Sequence, residues 1–171
     1  MRVFGLIGFP LTHSFSGKYF EEKFRSLELN DHVYNLYPVE QIDNLKTWAD
    51  QIEGLVGLNV TIPYKRAVIP FLDEQHLPNG LNACNCIHLV GGKWIGYNTD
   101  VIGFSESLKP LLKPHHTEAL VFGHGGAADA VTHVLQQLRI SYQVVGRQSG
   151  PGVDLTYSEL TEADLRQHLL L

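Results

Sequence analysis

The sequence predicts an α/β protein: a sheet covered by helices, followed by the first half of a Rossmann-like nucleotide-binding domain. Two patterns carry that prediction. Over residues 3–62, short β-branched runs alternate with segments whose apolar residues recur at helical spacing, in the order strand-helix-strand-helix-strand. Over residues 118–145, an apolar strand, a glycine-rich loop and another apolar-periodic helix precede a further strand, the βαβ arrangement of dinucleotide-binding folds. The 171 residues are 44% hydrophobic and 10% aromatic, enough to bury a real core. Three parts are expected: residues 1–100, a linker helix in 101–116, and 117–171.

The elements follow in order. Residues 3–8 read as a strand, broken by Gly8-Phe9-Pro10. Ser14 and Ser16 come next, and Ser16 is placed to cap the following helix, a role that leaves Ser14 unexplained. That helix is expected over 17–29, with Tyr19, Phe20, Phe24 and Leu27 on one face. A strand over 32–39 and a helix over 40–52 follow, the helix burying Ile42, Leu45, Trp48, Ala49 and Ile52. The third strand, 54–62, ends at Pro63, which lacks a ladder donor. Asn59 and Thr61, two apart, share a side near its end. Lys65 opens a helix over 64–72, and 72–80 is turn-like. Residues 85–90 and 93–97 form a hairpin across Gly91-Gly92. A helix over 101–113 starts after Asp100. Beyond the glycine loop, 161–168 reads as a turn and short helix, and 168–171 as the start of a third strand of the second sheet.

Bulk properties narrow the function. A formal charge of −5 with no basic cluster argues against a nucleic-acid surface. No signal peptide is visible, and no apolar run approaches the roughly 18 residues a membrane helix needs. Cys84 and Cys86 sit too close in sequence for an unstrained disulfide and read as reduced cytoplasmic thiols. No matching Cys or His pair follows them, so no metal is expected.

The residues able to do chemistry gather in two places. Asn59, Thr61 and Lys65 deliver an amide, a hydroxyl and an ammonium to one strand end, a usual ligand site in an α/β sheet. By position alone Lys65 reads more readily as a solvated lysine than a catalytic one, and Asp100 as an N-cap. Gly123, His124, Gly125, Gly126 and Ala127 form the loop where backbone and helix N-terminus would approach a pyrophosphate. His124 either crowds that loop or adds a phosphate donor. After the second strand stands Gly146-Arg147-Gln148-Ser149, with no acid for ribose hydroxyls. Arg147 suits a 2′-phosphate, hence NADP, the alternative being a solvent-facing arginine.

Three ordered motifs carry a resemblance. Gly8-Phe9-Pro10-Leu11-Thr12-His13-Ser14-Phe15-Ser16, Asn59-Val60-Thr61-Ile62-Pro63-Tyr64-Lys65 and Asn98-Thr99-Asp100 resemble the signatures of the shikimate dehydrogenase family, including its quinate/shikimate relatives. The resemblance covers almost the whole chain. It implies a substrate-binding catalytic domain over 1–100 and the start of an NADP domain over 117–171. It implies reversible NADP-dependent reduction of 3-dehydroshikimate to shikimate, toward aromatic amino acids, in the cytoplasm, by a monomer or homodimer. Ser14 and Ser16 would hold the substrate carboxylate, and Asn59, Thr61 and Asn85 would read its hydroxyls. Lys65 and Asp100 would be the catalytic pair, within touching distance and also in contact with substrate. The chain departs from the family pattern at Gly17, Asn82, Cys86, His124 and Gly146. The family's later glycine loops and a C-terminal substrate-contacting glutamine are missing, so a truncated chain is expected, with its own activity open. The competing readings are an NAD-using quinate/shikimate enzyme and a non-catalytic shikimate-binding module.

Overall fold

The computed structural model describes residues 1–12 and 14–171, with Gln167 described in its backbone only. His13 of the first motif lies outside the described residues. The chain forms two compact units: Met1–Pro78 with Cys84–Asn98, and Asn79–Ala83 with Thr99–Leu171.

The first unit contains β1 (Arg2–Gly8), α1 (Ser16–Ser26), β2 (His32–Pro38), α2 (Leu45–Ala49), β3 (Leu55–Val60), β4 (Glu74–His76), β5 (Cys86–Val90) and β6 (Lys93–Tyr97). Its six-stranded sheet runs β2-β1-β3-β5-β6-β4. β1 pairs in parallel with β2 and β3, while the β5–β6 hairpin joins antiparallel to β3. Gly91 and Gly92, at φ 57° and 76°, make its tight turn. Alternation gives the sheet two faces. Ile7, Leu58, Val60, Ile87 and Trp94 form the core with Leu45 and Ala49 of α2. The opposite face carries Phe4, Tyr34, Asn59 and Cys86 and meets α1 through ring contacts, Phe20 stacked on Tyr34 at 4.4 Å and Phe24 tilted against Phe4 at 5.6 Å.

Several expectations need correction here. Of the predicted α1 face, Tyr19 and Leu27 are exposed, and α1 buries no residue fully. The helix expected over 40–52 shrinks to five residues. Asp43 and Asn44, whose side chains compete for backbone partners, precede it. Its apolar spacing still buries Ile42, Leu45 and Ala49. No α-helix forms over 64–72: turns lead into a 3₁₀ segment, Ile69–Phe71, where Pro70 can donate no helical bond. The unpredicted β4 pairs beside β6, where the Asp73 carboxylate accepts the Trp94 N–H at 2.8 Å and Lys46 Nζ at 2.9 Å.

The second unit contains α3 (Asp100–Leu108), β7 (Glu118–Phe122), α4 (Gly126–Gln137), β8 (Ser141–Gly146), β9 (Leu155–Thr156), α5 (Glu162–Gln167) and β10 (Leu169–Leu170). α3 ends in a 3₁₀ turn at Lys109–Leu111, because Pro110 cannot extend it. The sheet is wholly parallel, in the order β10-β7-β8-β9. The expected third strand is β10, paired with β7; the two-residue β9 is additional. Ala119, Val121, Val134, Leu135 and Val144 form the core, with Val101 and Leu108 of α3 joining it. Thr161 caps α5 in a reciprocal box, its N–H bonding Asp164 Oδ2 at 2.8 Å.

Candidate functional site

The first site lies at the C-terminal ends of β1 and β3, where both parallel strands release the chain on the same side. Backbone bonds tie the two exits together. Thr61 N–H donates to Ile7 O at 2.9 Å, and Phe9 N–H to Ile62 O at 3.1 Å. Gly8 makes that approach possible: a Cβ there would collide with Thr61 Cγ2 and stand 2.9 Å from Ile62 O. The first motif's glycine is therefore fitted to the second motif's threonine.

A cavity of about 460 Å³ results, lined by Ser14, Ser16 and Thr61 among Phe9, Leu11 and Phe15. Three of the predicted site residues thus share one hollow. Phe15 and Ile62 on its rim are largely exposed, and nothing in the motif pattern singled them out. Ser16 is not the helix cap expected of it. Phe15 holds the N-cap position, Ser16 begins α1, and the Ser16 N–H donates to Ser14 Oγ at 3.3 Å.

Asn59 belongs to this strand end as well. It lines a second, apolar cavity of about 310 Å³ with Phe4, Phe20, Tyr34 and Cys86, and its Oδ1 accepts the Tyr34 hydroxyl at 2.9 Å. β3 ends at Val60, Thr61 still bonds to β1 through its N–H, and the turn comes after it, with the Tyr64 N–H donating to Thr61 O at 2.9 Å. Lys65 sits in the turn after β3 rather than on a helix, and its carbonyl accepts the Cys84 N–H at 2.7 Å. Asn85 is buried, bonded through its backbone to Val60 on one side and Tyr97 on the other. Asp100 belongs to the second unit, as the first residue of α3 with Thr99 at the N-cap. Asn82, which stands for a glycine, is not among the residues with positive φ, so its backbone needs no glycine.

The second site is the β7–loop–α4–β8 unit. Gly123 leaves β7 at φ 107°, its N–H donating to Val145 O at 2.8 Å. Gly125 is the N-cap of α4, and Gly126 and Ala127 open its first turn. A Cβ on Gly123 or Gly125 would meet open space, so internal packing does not demand the bare loop; it leaves backbone donors approachable from outside. His124 and Arg147 line one cavity of about 460 Å³ with Gln148 and Ser149. Gly146 beside them has a packing cause: a Cβ would stand 2.8 Å from Val153 Cγ2. This loop, helix and basic pocket fit a phosphorylated dinucleotide. Among the described residues, no group of three or more His, Cys, Asp or Glu side chains could hold a metal. Among the described residues, no helix is long and apolar enough to cross a membrane.

Comparison with known proteins matches residues 6–87 to the shikimate dehydrogenase substrate binding domain. Among similar proteins is the NADP(+) shikimate dehydrogenase of Shouchella clausii (strain KSM-K16), 38% identical over 169 residues, covering 94% of this chain and 60% of that enzyme. The corresponding enzyme of Halothermothrix orenii is 43% identical over 78% of this chain and 47% of its own length. The chain thus spans about half the length of the curated relatives it matches. Shikimate 5-dehydrogenase from Thermus thermophilus, solved with NADP(H) and shikimate, superposes with TM-score 0.74 at 30% identity, over 86% of this chain and 57% of that one.

Proposed function

We propose that this chain, whose residues 6–87 match the shikimate dehydrogenase substrate binding domain and which resembles those enzymes along almost its whole length, serves the reversible, NADP-dependent reduction of 3-dehydroshikimate to shikimate. The observation that carries the reading is the hydroxyl-lined hollow where Ser14, Ser16 and Thr61 converge beside the exits of β1 and β3. Hydroxyls of this kind hold a carboxylate and read ring oxygens by directed hydrogen bonds. Ser14 and Ser16 take the carboxylate; Thr61, Asn59 and Asn85 take the hydroxyls.

Reduction of a ketone turns its oxygen into an alkoxide that needs a proton. Lys65 supplies it from its ammonium, or holds the charge as it develops. Asp100 is the second member of the catalytic pair and binds a ring hydroxyl. In the reverse direction Lys65 takes up the hydroxyl proton. NADP, when bound, supplies or accepts the hydride. The Gly123–Ala127 loop and the α4 N-terminus would hold its pyrophosphate, and Arg147 its 2′-phosphate. The missing acid after β8 supports NADP over NAD. Residues 1–100 act as the substrate-binding part, 101–116 as a linker helix and 117–171 as the dinucleotide-binding part. The paired reduced thiols Cys84 and Cys86 favour a cytoplasmic setting, and the protein works as a monomer or homodimer.

The test is the rate of nicotinamide reduction with shikimate, followed by absorbance. The reading expects turnover with NADP well above that with NAD, and with shikimate above quinate. Lys65→Ala should lower turnover on the order of 10²-fold or more with a modest loss of substrate affinity. An unchanged rate in that variant would remove Lys65 from the chemistry.

A further inference from the structure

Tyr34 and Asn59 stand on strands that flank β1 on opposite sides, and their side chains meet over it on the α1 face. The register makes this possible: Phe4 of β1 is level with Tyr34, and Leu6 with Asn59. The phenol is held from both directions. Its ring stacks on Phe20 at 4.4 Å and an interplanar angle of 13°. Its hydroxyl lies 2.9 Å from Asn59 Oδ1. Burial pushes the Tyr34 pKa up to about 12, with the nearby Ser16 hydroxyl pulling the other way. Tyr34 therefore keeps its hydrogen at ordinary pH. That hydrogen goes to Asn59 Oδ1.

A carboxamide carries acceptors at one end and donors at the other. Around Asn59 the cavity wall is apolar, built from Phe4, Phe20, Phe24 and Val56. We propose that Tyr34 is a positioning residue that locks the Asn59 carboxamide, so that this part of the site shows a ligand only N–H donors. Asn59 then reads a hydroxyl or ketone oxygen as an acceptor and turns away a protonated amine at the same ring position. The inference rests on the substrate reading above and narrows it.

The experiment is calorimetric titration of the 171-residue protein with shikimate and with three analogues, each having one ring hydroxyl replaced by an amine. Wild type should bind shikimate and discriminate strongly against the analogue altered at the Asn59 contact. Tyr34→Phe keeps the ring stack and should weaken shikimate about tenfold, while the discrimination against that analogue shrinks because the amide can now turn over. A merely structural role would weaken all four ligands alike and leave the discrimination intact, and that result overturns the proposal. Asn59→Asp is the second variant: it still accepts from Tyr34 but offers the ligand an acceptor, so the preference should reverse toward the amine. No reversal also overturns the proposal. If wild type takes up no shikimate, the substrate reading fails and the inference with it; if wild type binds and Tyr34→Phe is indistinguishable from it, the inference alone fails.

Discussion

Arg147 stands at the end of β8, where an acid would otherwise meet two ribose hydroxyls, and shares its cavity with His124 and Ser149. A guanidinium gives a phosphate monoester two charge-assisted hydrogen bonds. Arg147→Ala should therefore weaken 2′,5′-ADP by about 10- to 100-fold while changing 5′-AMP little, as read by competition or calorimetry. Equal effects on both nucleotides would mean that Arg147 does not meet the 2′-phosphate. His124 is expected to contribute a weaker share, since it faces the same cavity. Gly146, before Arg147, was legible only as a departure from the family pattern. Its cause lies further along the chain, in the Val153 side chain packed where a Cβ would be. The pair Tyr34 and Asn59 was hidden for the same kind of reason: nothing in either strand's alternation reveals which residue faces it two strands away.

Elements with strong periodicity were legible: β1, β2, β3, the glycine-turned hairpin, and the β7–α4–β8 unit all lie where alternation and turn residues put them. Elements set by their neighbours were not. β4 and β9 are too short to carry a pattern and exist because β6 and β8 offer an edge. The residues after β3 keep their burial, with Tyr64 and Val68 in the core, yet Pro70 denies them a helix. Of the site, the hydroxyl hollow was legible because its glycine, serines and threonine stand at fixed spacing; the phenol that holds Asn59 was not. The junction of β1 and β3 provides the test at this scale. In Gly8→Ala the new methyl would collide with Thr61 Cγ2 and stand 2.9 Å from a backbone oxygen, so the two strand exits must separate. A loss of about 1–3 kcal/mol in urea unfolding is expected, together with weaker shikimate binding. A variant as stable as wild type with intact binding would show that the two motifs are not packed as described.

At the scale of the molecule, burial leaves a signature in the alkaline stability of the first unit. Tyr34 is raised to about 12 and Cys84 to about 11, both by burial. Each is neutral when protonated, so the folded state resists losing a proton that the unfolded chain gives up at an ordinary pKa. Their stabilisation is complete below the unfolded Cys and Tyr values, about 8.5 and 10, and disappears as pH rises through about 11 and 12. Urea midpoints should hold steady near neutrality and fall on approach to pH ~11; Tyr34→Phe should soften the fall, and an unaltered profile would contradict the buried phenol. The central claim concerns the hollow at the β1 and β3 exits, and its most direct measurement is titration of shikimate into the protein and into the Ser14→Ala/Thr61→Val double variant near neutral pH. The account predicts saturable binding in wild type, weakened at least about tenfold in the double variant; no saturable binding in wild type, or equal affinity in both, would contradict it.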